Sequence, residues 1–433
     1  MAELAAETDA MSPGDQFELG VWLADQGAAD GARSVWQHVI ESGDGEYAPQ
    51  AVLALGKLLG QSGDARGAQA ALQAAIDSGH GDHGPEAAYC LGLLLKRQGD
   101  TEGARQAWQL AQDTGHPEWS PPAAVDLGTL LAERGDLGNA RAQFQRAIDS
   151  GHPTAAAAAS FNLALVLSKA GDLDGAKAAY CTAAESGNPD VSAQAAFNLG
   201  NMLSRARDFD GARAAYELAI GYGHPELAAK AAFGLGTLLL THRGSAEATP
   251  LLQRAAESGY ADTAPLAARS LALALHRAGD IGGARAWFER TIASGHSEQA
   301  ALAAGGLGRL LSEQGDIQGA RMAYQQAMSS GQPIAATAAA WALGEMLVTH
   351  GDIDGAAVAF RWVTDNGDRQ YAPRAAIKLG EALQDAGDIK GAKTAYKRAL
   401  RTGSQQTQRE AIQHIRNLPK PRLNPKAGPG HHS

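Results

Sequence analysis

The chain has 433 residues, a net charge of −10, and 45% hydrophobic but only 6% aromatic residues. With 52 glycines and many alanines it can bury a core of small side chains, which favours closely packed helices over a thick globular centre. The acidic start and the absence of about 18 consecutive apolar residues argue against a secretory signal and a membrane span. Its two cysteines, Cys90 and Cys181, fit a reducing compartment, so we expect a cytoplasmic protein.

Charge is unevenly distributed along the chain. From Lys390 to the end there are ten Lys or Arg residues and one acid, Glu410, which leaves 27 basic and 46 acidic residues in the preceding body. An acidic body argues against a surface for duplex nucleic acid. The basic end leaves a contact with nucleic acid, a membrane or an acidic protein open there.

Internal repetition dominates the sequence. The segment GDLDGAKAAY, residues 171–180, recurs as GDIDGAAVAF at 351 and GDIKGAKTAY at 387, always at multiples of 36 residues, and 11 repeats can be counted. Three positions are identical in all 11 repeats, and Ala176, Gly187 and Ala195 represent them. A fourth position, represented by Tyr180, is aromatic in nine repeats. This fixed period predicts an all-α solenoid of about 11 helix-turn-helix repeats, because each unit buries its apolar face only against its neighbours.

In chain order, we expect a disordered N-terminus at 1–11 and then a pair of helices in each repeat from 12 to 418. In repeat 171–206, Ala176, Tyr180 and Ala183 form the apolar stripe of a first helix, which Gly187 ends with a positive φ. A second helix carries the apolar stripe Ala195, Leu199, Met202 and Leu203. A Gly-Asp or Arg-Asp pair then joins successive repeats, with Asp capping the next helix.

The repeat pattern breaks most strongly at 243–278. This segment lacks the capping Asp and the aromatic residue and gains Pro250, which indicates a possible hinge between two arms. After 403, SQQTQREAIQHIRN is typical of a final capping helix with a polar face. The Pro-rich basic tail, 419–433, is predicted to be disordered.

The order of Leu199-Gly200, Leu203, Ala212 and Tyr216, followed by Ala219, resembles the signature of the tetratricopeptide repeat, whose unit is about 34 residues long. The two additional residues fall in the Gly-His-Pro connection, a feature similar to Sel1-like repeats. The resemblance covers about 12–418. The bulky residue that the family carries early in its first helix is mostly Ala here, so curvature and groove width do not carry over.

The resemblance implies a non-enzymatic scaffold: a right-handed superhelix whose concave face, lined by the helices with the Leu-Gly pair, binds a peptide or a partner helix. A polar stripe on 191–205 suits that face, since an amide offers both a donor and an acceptor. The candidate peptide-binding residues are Asn162, Asn198, Asn201, Arg205 and Lys230. A merely solvated helix face is the alternative interpretation.

Nothing in the sequence predicts catalysis, a metal or a cofactor. Histidines follow the invariant Gly in several repeats, but equivalent positions lie about one helix pair apart, roughly 20 Å, which is too far for shared coordination. We expect them to cap free carbonyls at helix ends. A competing hypothesis to the peptide scaffold is self-assembly into homo-oligomers, with the basic tail of one copy docking on the acidic body of another. A nucleic-acid role is expected only through that tail.

Overall fold

The computed structural model describes residues 11–242 and 244–419, and this part of the chain contains 23 α-helices and no β-strand. The helices of the first half are α1 (Pro13–Asp25), α2 (Ala29–Ser42), α3 (Tyr47–Ser62), α4 (Ala65–Asp77), α5 (His83–Gln98), α6 (Thr101–Asp113), α7 (Ser120–Glu133), α8 (Leu137–Asp149), α9 (Pro153–Ala170), α10 (Leu173–Ala184), α11 (Pro189–Arg205) and α12 (Phe209–Gly221). The others are α13 (Pro225–His242), α14 (Ser245–Ala256), α15 (Ala264–Ala278), α16 (Ile281–Ala293), α17 (Ser297–Glu313), α18 (Ile317–Met328), α19 (Pro333–Thr349), α20 (Ile353–Asn366), α21 (Tyr371–Asp385), α22 (Ile389–Thr402) and α23 (Gln405–Asn417).

The Gly-Asp pairs form the turns between odd- and even-numbered helices, as predicted. At the start of α10, Gly171 has φ 85° and the Asp172 carboxylate accepts a 2.9 Å hydrogen bond from the backbone N–H of Gly175. The same cap recurs at eight other even-numbered helices: α4, α6, α8, α12, α16, α18, α20 and α22. Where the pair reads Arg-Asp, Arg207 takes the left-handed conformation itself, with φ 64°.

The invariant Gly after each even-numbered helix does not always supply a positive φ. Gly187 does, with φ 77°, but Gly367 and Gly403 have φ −73° and −84°. At these two positions glycine is required for space, because an added Cβ would lie 2.5 Å from the carbonyl oxygen of Val363 or 2.6 Å from that of Ala399. The expectation of a left-handed cap is therefore wrong in the last two repeats.

Small side chains let the helices approach closely. The invariant alanines represented by Ala176 and Ala195 are buried in every repeat, and these two are 0% exposed. From α1 to α12 and from α14 to α23, helices that are adjacent in sequence pack against each other, and successive odd-numbered helices such as α9 and α11 also contact each other. The odd-numbered helices thus form the inner layer of each unit. This arrangement of helix pairs confirms the predicted all-α solenoid.

The chain divides into two compact units, Met1–Ala228 and Ala229–Ser433. The predicted hinge at 243–278 stays a prediction, although α14 follows Gly244, which has no side chain to cap it, and contains Pro250. The predicted disordered ends, 1–11 and 419–433, fall almost entirely outside the described residues. None of the described helices combines the length and apolarity that a membrane crossing requires.

Candidate peptide-binding site

A pocket of about 400 Å³ opens in the first unit between α9 and α11. Three of the five predicted residues, Asn198, Asn201 and Arg205, lie together on its α11 side. The other lining residues are Leu165 and Ser168 on α9, Leu173 and Tyr180 on α10, Met202 on α11, and Ala206 just after it.

Asn201 is held in place by a tyrosine from the next helix. The Tyr216 hydroxyl on α12 donates a 2.8 Å hydrogen bond to Oδ1 of Asn201. Burial raises the pKa of Tyr216 to about 12, while the nearby charge of Arg205 acts in the opposite direction. The hydroxyl therefore keeps its proton at neutral pH, and the Asn201 amide is oriented with its NH₂ group left to donate to a ligand.

Asn162 and Asn198 occupy equivalent positions in two successive repeats, but their surroundings differ. Asn162 on α9 donates a 3.3 Å hydrogen bond to the Thr129 hydroxyl on α7. One repeat later, the position of Thr129 is taken by Leu165, which can neither donate nor accept. The half-buried Asn198 consequently makes no side-chain hydrogen bond to any residue in the described part of the chain.

The remaining predicted residues do not line this pocket. Asn162 lies half-buried on α9 and is engaged with Thr129. Lys230 lies half-buried on α13, in the second unit. The structure thus brings together three of the five candidates.

The pocket combines amides and one cation with an apolar floor. Asn198 offers a donor and an acceptor, and the exposed Arg205 offers a positive charge at the rim. Leu165, 44% exposed, and Leu173, also 44% exposed, present apolar surface to a ligand. Sequence reasoning missed these leucines, although the loss of the Thr129 hydroxyl at the Leu165 register was visible in the repeat.

A second groove pocket in the first unit, of about 290 Å³, lies between α3 and α5. Its two charged groups are already engaged: Lys57 pairs with Glu86, and Arg97 donates a 2.7 Å hydrogen bond to the Gly60 carbonyl. Burial raises the pKa of its Cys90 thiol to about 11, so that thiol stays protonated. The α9–α11 pocket is the better candidate, because its asparagines keep hydrogen-bonding capacity for a ligand.

The repeated histidines act at helix ends, but at the opposite end from the one expected. Nδ1 of His152 accepts a hydrogen bond from the backbone N–H of Ala155 at the start of α9, and His224 and His296 do the same at α13 and α17. They cap amides, not carbonyls, because the chain turns directly into the next helix after the Gly. Among the residues that the structure describes, no group of three or more His, Cys, Asp or Glu side chains is arranged to hold a metal ion.

Known proteins match this chain through its repeats. A tetratricopeptide-repeat model matches residues 53–117, 233–298 and 306–367, and a tetratricopeptide repeat-like domain model matches residues 98–233. Together they cover more than half of the chain. No curated protein sequence matches.

Solved structures resemble the fold at low sequence identity. A protective antigen of uropathogenic Escherichia coli displaying an SLR fold, the abbreviation of Sel1-like repeat, is 18% identical with a TM-score of 0.50, and 99% of each chain is covered. PilF of Pseudomonas aeruginosa is 19% identical with a TM-score of 0.38, covering 51% of this chain and 96% of its own. With 36-residue helical pairs along its described length, this chain belongs to the tetratricopeptide-repeat family.

Proposed function

We propose that the protein is a non-enzymatic cytoplasmic scaffold that binds an extended peptide or a helix of a partner protein along its odd-numbered helices. The α9–α11 pocket is the main contact. The observation that carries the proposal is Asn198, a half-buried amide whose cross-repeat partner has been replaced by Leu165.

The Asn198 side chain is half-buried and is not among the fully buried polar groups that lack a partner, so water can satisfy its amide in the free protein and both its donor and its acceptor are available to a ligand. A peptide backbone presents alternating N–H and C=O groups that one amide can pair with simultaneously. The exposed leucines beside Asn198 would bury apolar surface against a peptide side chain at the same time. A partner thus gains both polar and apolar contacts in one place.

The experiment is affinity purification from nuclease-treated native lysate, with partners identified by mass spectrometry. We expect the wild-type protein to retain a discrete partner that Asn198→Ala loses. The matched control is Gln145→Ala on α8, an exposed amide whose bond goes only to Asp149. A partner retained equally by all three proteins would contradict the pocket assignment.

A second candidate function, self-assembly, is supported by the even-numbered helix α22. Its outer face carries Lys390, Lys393, Lys397 and Arg401, all exposed and none with a carboxylate partner in the described part of the chain. Earlier repeats place opposite charges on this face, as in the Arg213–Glu217 pair at 2.8 Å. The face of α22, together with the basic tail, is complementary to an acidic surface of another copy.

This candidate predicts oligomers that dissociate at high salt, because exposed charge pairs are screened. Replacing Lys393 and Lys397 with Glu should lower the mass measured by light scattering at low salt. An unchanged mass in that variant would exclude the α22 face from assembly.

A further inference from the structure

The second unit contains a pocket of about 410 Å³ whose charged lining is entirely arginine. Arg269 and Arg277 reach it from α15 and Arg309 from α17, and none of the described residues that line it is acidic. In a protein with net charge −10, three arginines around one cavity are a local reversal of charge.

The pocket exists because the repeat pattern is broken there. At the register of Arg269, five other repeats carry an aromatic residue, such as Phe197, whose ring centroid lies 6.3 Å from that of Tyr216 on the next helix. In the following repeat the same register holds Gly305, beside which a Cβ would meet nothing within 4 Å. Two successive repeats therefore lack the ring that would fill this space.

The orientation of the Arg269 side chain is fixed by a hydrogen bond to a buried residue. Its Nε donates a 2.7 Å hydrogen bond to Oε1 of Gln299, which is 4% exposed. The backbone N–H of Gln299 is in turn capped by His296 at 3.3 Å. Burial lowers the pKa of Arg269, with Glu298 acting against the shift, so this guanidinium is partly desolvated. Its terminal NH₂ groups make no protein hydrogen bond among residues 11–242 and 244–419, and the side chain faces the cavity.

The other two arginines are exposed at the rim. Arg309 lies 3.9 Å from Glu313, whose second oxygen is 2.7 Å from Nε2 of His276. Arg277 has no ion-pair partner in the described chain. The acidic groups nearby leave the cavity with an excess of positive charge.

We propose that this pocket binds a phosphate monoester through Arg269, Arg277 and Arg309. A dianionic phosphate has three terminal oxygens that accept hydrogen bonds from several guanidinium groups at once, whereas a carboxylate has two oxygens and a single charge. The volume leaves room for a phosphorylated side chain. That the ester is carried on a peptide rests on the proposed function, but the phosphate site itself does not.

The test uses pooled peptides of randomised sequence with a fixed central phosphoserine, Glu or Ser, captured on the full-length protein. We expect the phosphoserine pool to be retained at least several-fold above the other two. Arg269→Gln combined with Arg309→Gln should abolish that difference, and Arg309→Gln alone, at an exposed position, should reduce it. The charge-matched control is Arg285→Gln with Arg361→Gln, two exposed arginines on the even-numbered helices α16 and α20.

A parallel titration with free O-phosphoserine separates the two proposals. Equal retention of the three pools would overturn the phosphate site and leave the peptide scaffold standing. Retention of no pool, with O-phosphoserine binding that Arg309→Gln weakens, would uphold a phosphate site for a small molecule and count against peptide binding. If no peptide pool were retained and O-phosphoserine did not bind, both the phosphate site and the peptide scaffold would be overturned.

Discussion

The position that a β-carbon would take on Gly200 lies 2.6 Å from Cδ1 of Tyr216. No carbon atom can be placed that close, so glycine is what lets the ring lie against α11. The same ring carries the hydroxyl that orients Asn201 in the α9–α11 pocket. A packing position of the repeat is thereby linked to the candidate binding site.

Gly200→Ala should therefore affect both stability and binding. Overpacking of this kind costs about 1–3 kcal/mol, and the displaced ring would move its hydroxyl away from Asn201. We expect a lower free energy of unfolding in denaturant titration and a weaker partner affinity. Gly128→Ala is the matched control, since it would crowd Phe144 at 2.7 Å without touching the pocket. If both variants bound the partner like the wild type, the link would be refuted.

The two pocket asparagines should separate stability from binding. Asn198→Ala removes a side chain without a hydrogen bond in the described structure, so its melting curve should match that of the wild type while partner affinity falls by about tenfold. Asn201→Ala leaves the Tyr216 hydroxyl without an acceptor and should also cost about 0.5–1.5 kcal/mol of stability. Calorimetry of binding and thermal unfolding of both variants check this. Equal stabilities for the two would show that the Tyr216–Asn201 bond contributes nothing.

Arg207→Gly should stabilise the first unit. A non-glycine residue in the left-handed region costs roughly 1–2 kcal/mol, and Gly reduces that strain at some cost in the entropy of the unfolded chain. We expect a net gain of about 0.5–1 kcal/mol in urea unfolding. The reverse change at the equivalent turn, Gly171→Arg, should destabilise by a similar amount. A destabilised Arg207→Gly variant would mean that the arginine side chain contributes more than its backbone costs.

The Asp352 cap should give a pH dependence at acid pH. The hydrogen bond from Arg321, together with the backbone N–H of Gly355, lowers the pKa of this carboxyl from its ordinary 3.8. A lowered pKa stabilises the fold above pH 3.8, and that contribution is lost as pH falls further. In NMR titration, Arg321→Gln should raise the midpoint of the Asp352 carboxyl. An identical midpoint in both proteins would exclude Arg321 as the cause.

The fold could be predicted from the sequence because its causes are local and repeated 11 times. Ala176, Gly171 and Asp172 each determine one packing contact or turn; at steps of 36 residues the Ala recurs in all 11 repeats and the Gly and the Asp in nine repeats each. The pockets depend on differences between repeats, such as Leu165 in place of Thr129. Whether the change to Leu165 leaves Asn198 without a hydrogen bond depends on which side chains meet across two helices. One repeat considered alone does not contain that information. Similarly, Gly367 is the same invariant glycine as Gly187 but has φ −73°, so the shared residue type did not predict its conformation.

The most direct test of the central claim is hydrogen–deuterium exchange on the full-length protein, with and without the partner recovered by affinity purification. A peptide in the α9–α11 pocket should slow exchange in residues 153–170 and 189–205 and leave the outer helix α8 unchanged. Protection confined to even-numbered helices, or to α22, would contradict binding along the odd-numbered helices.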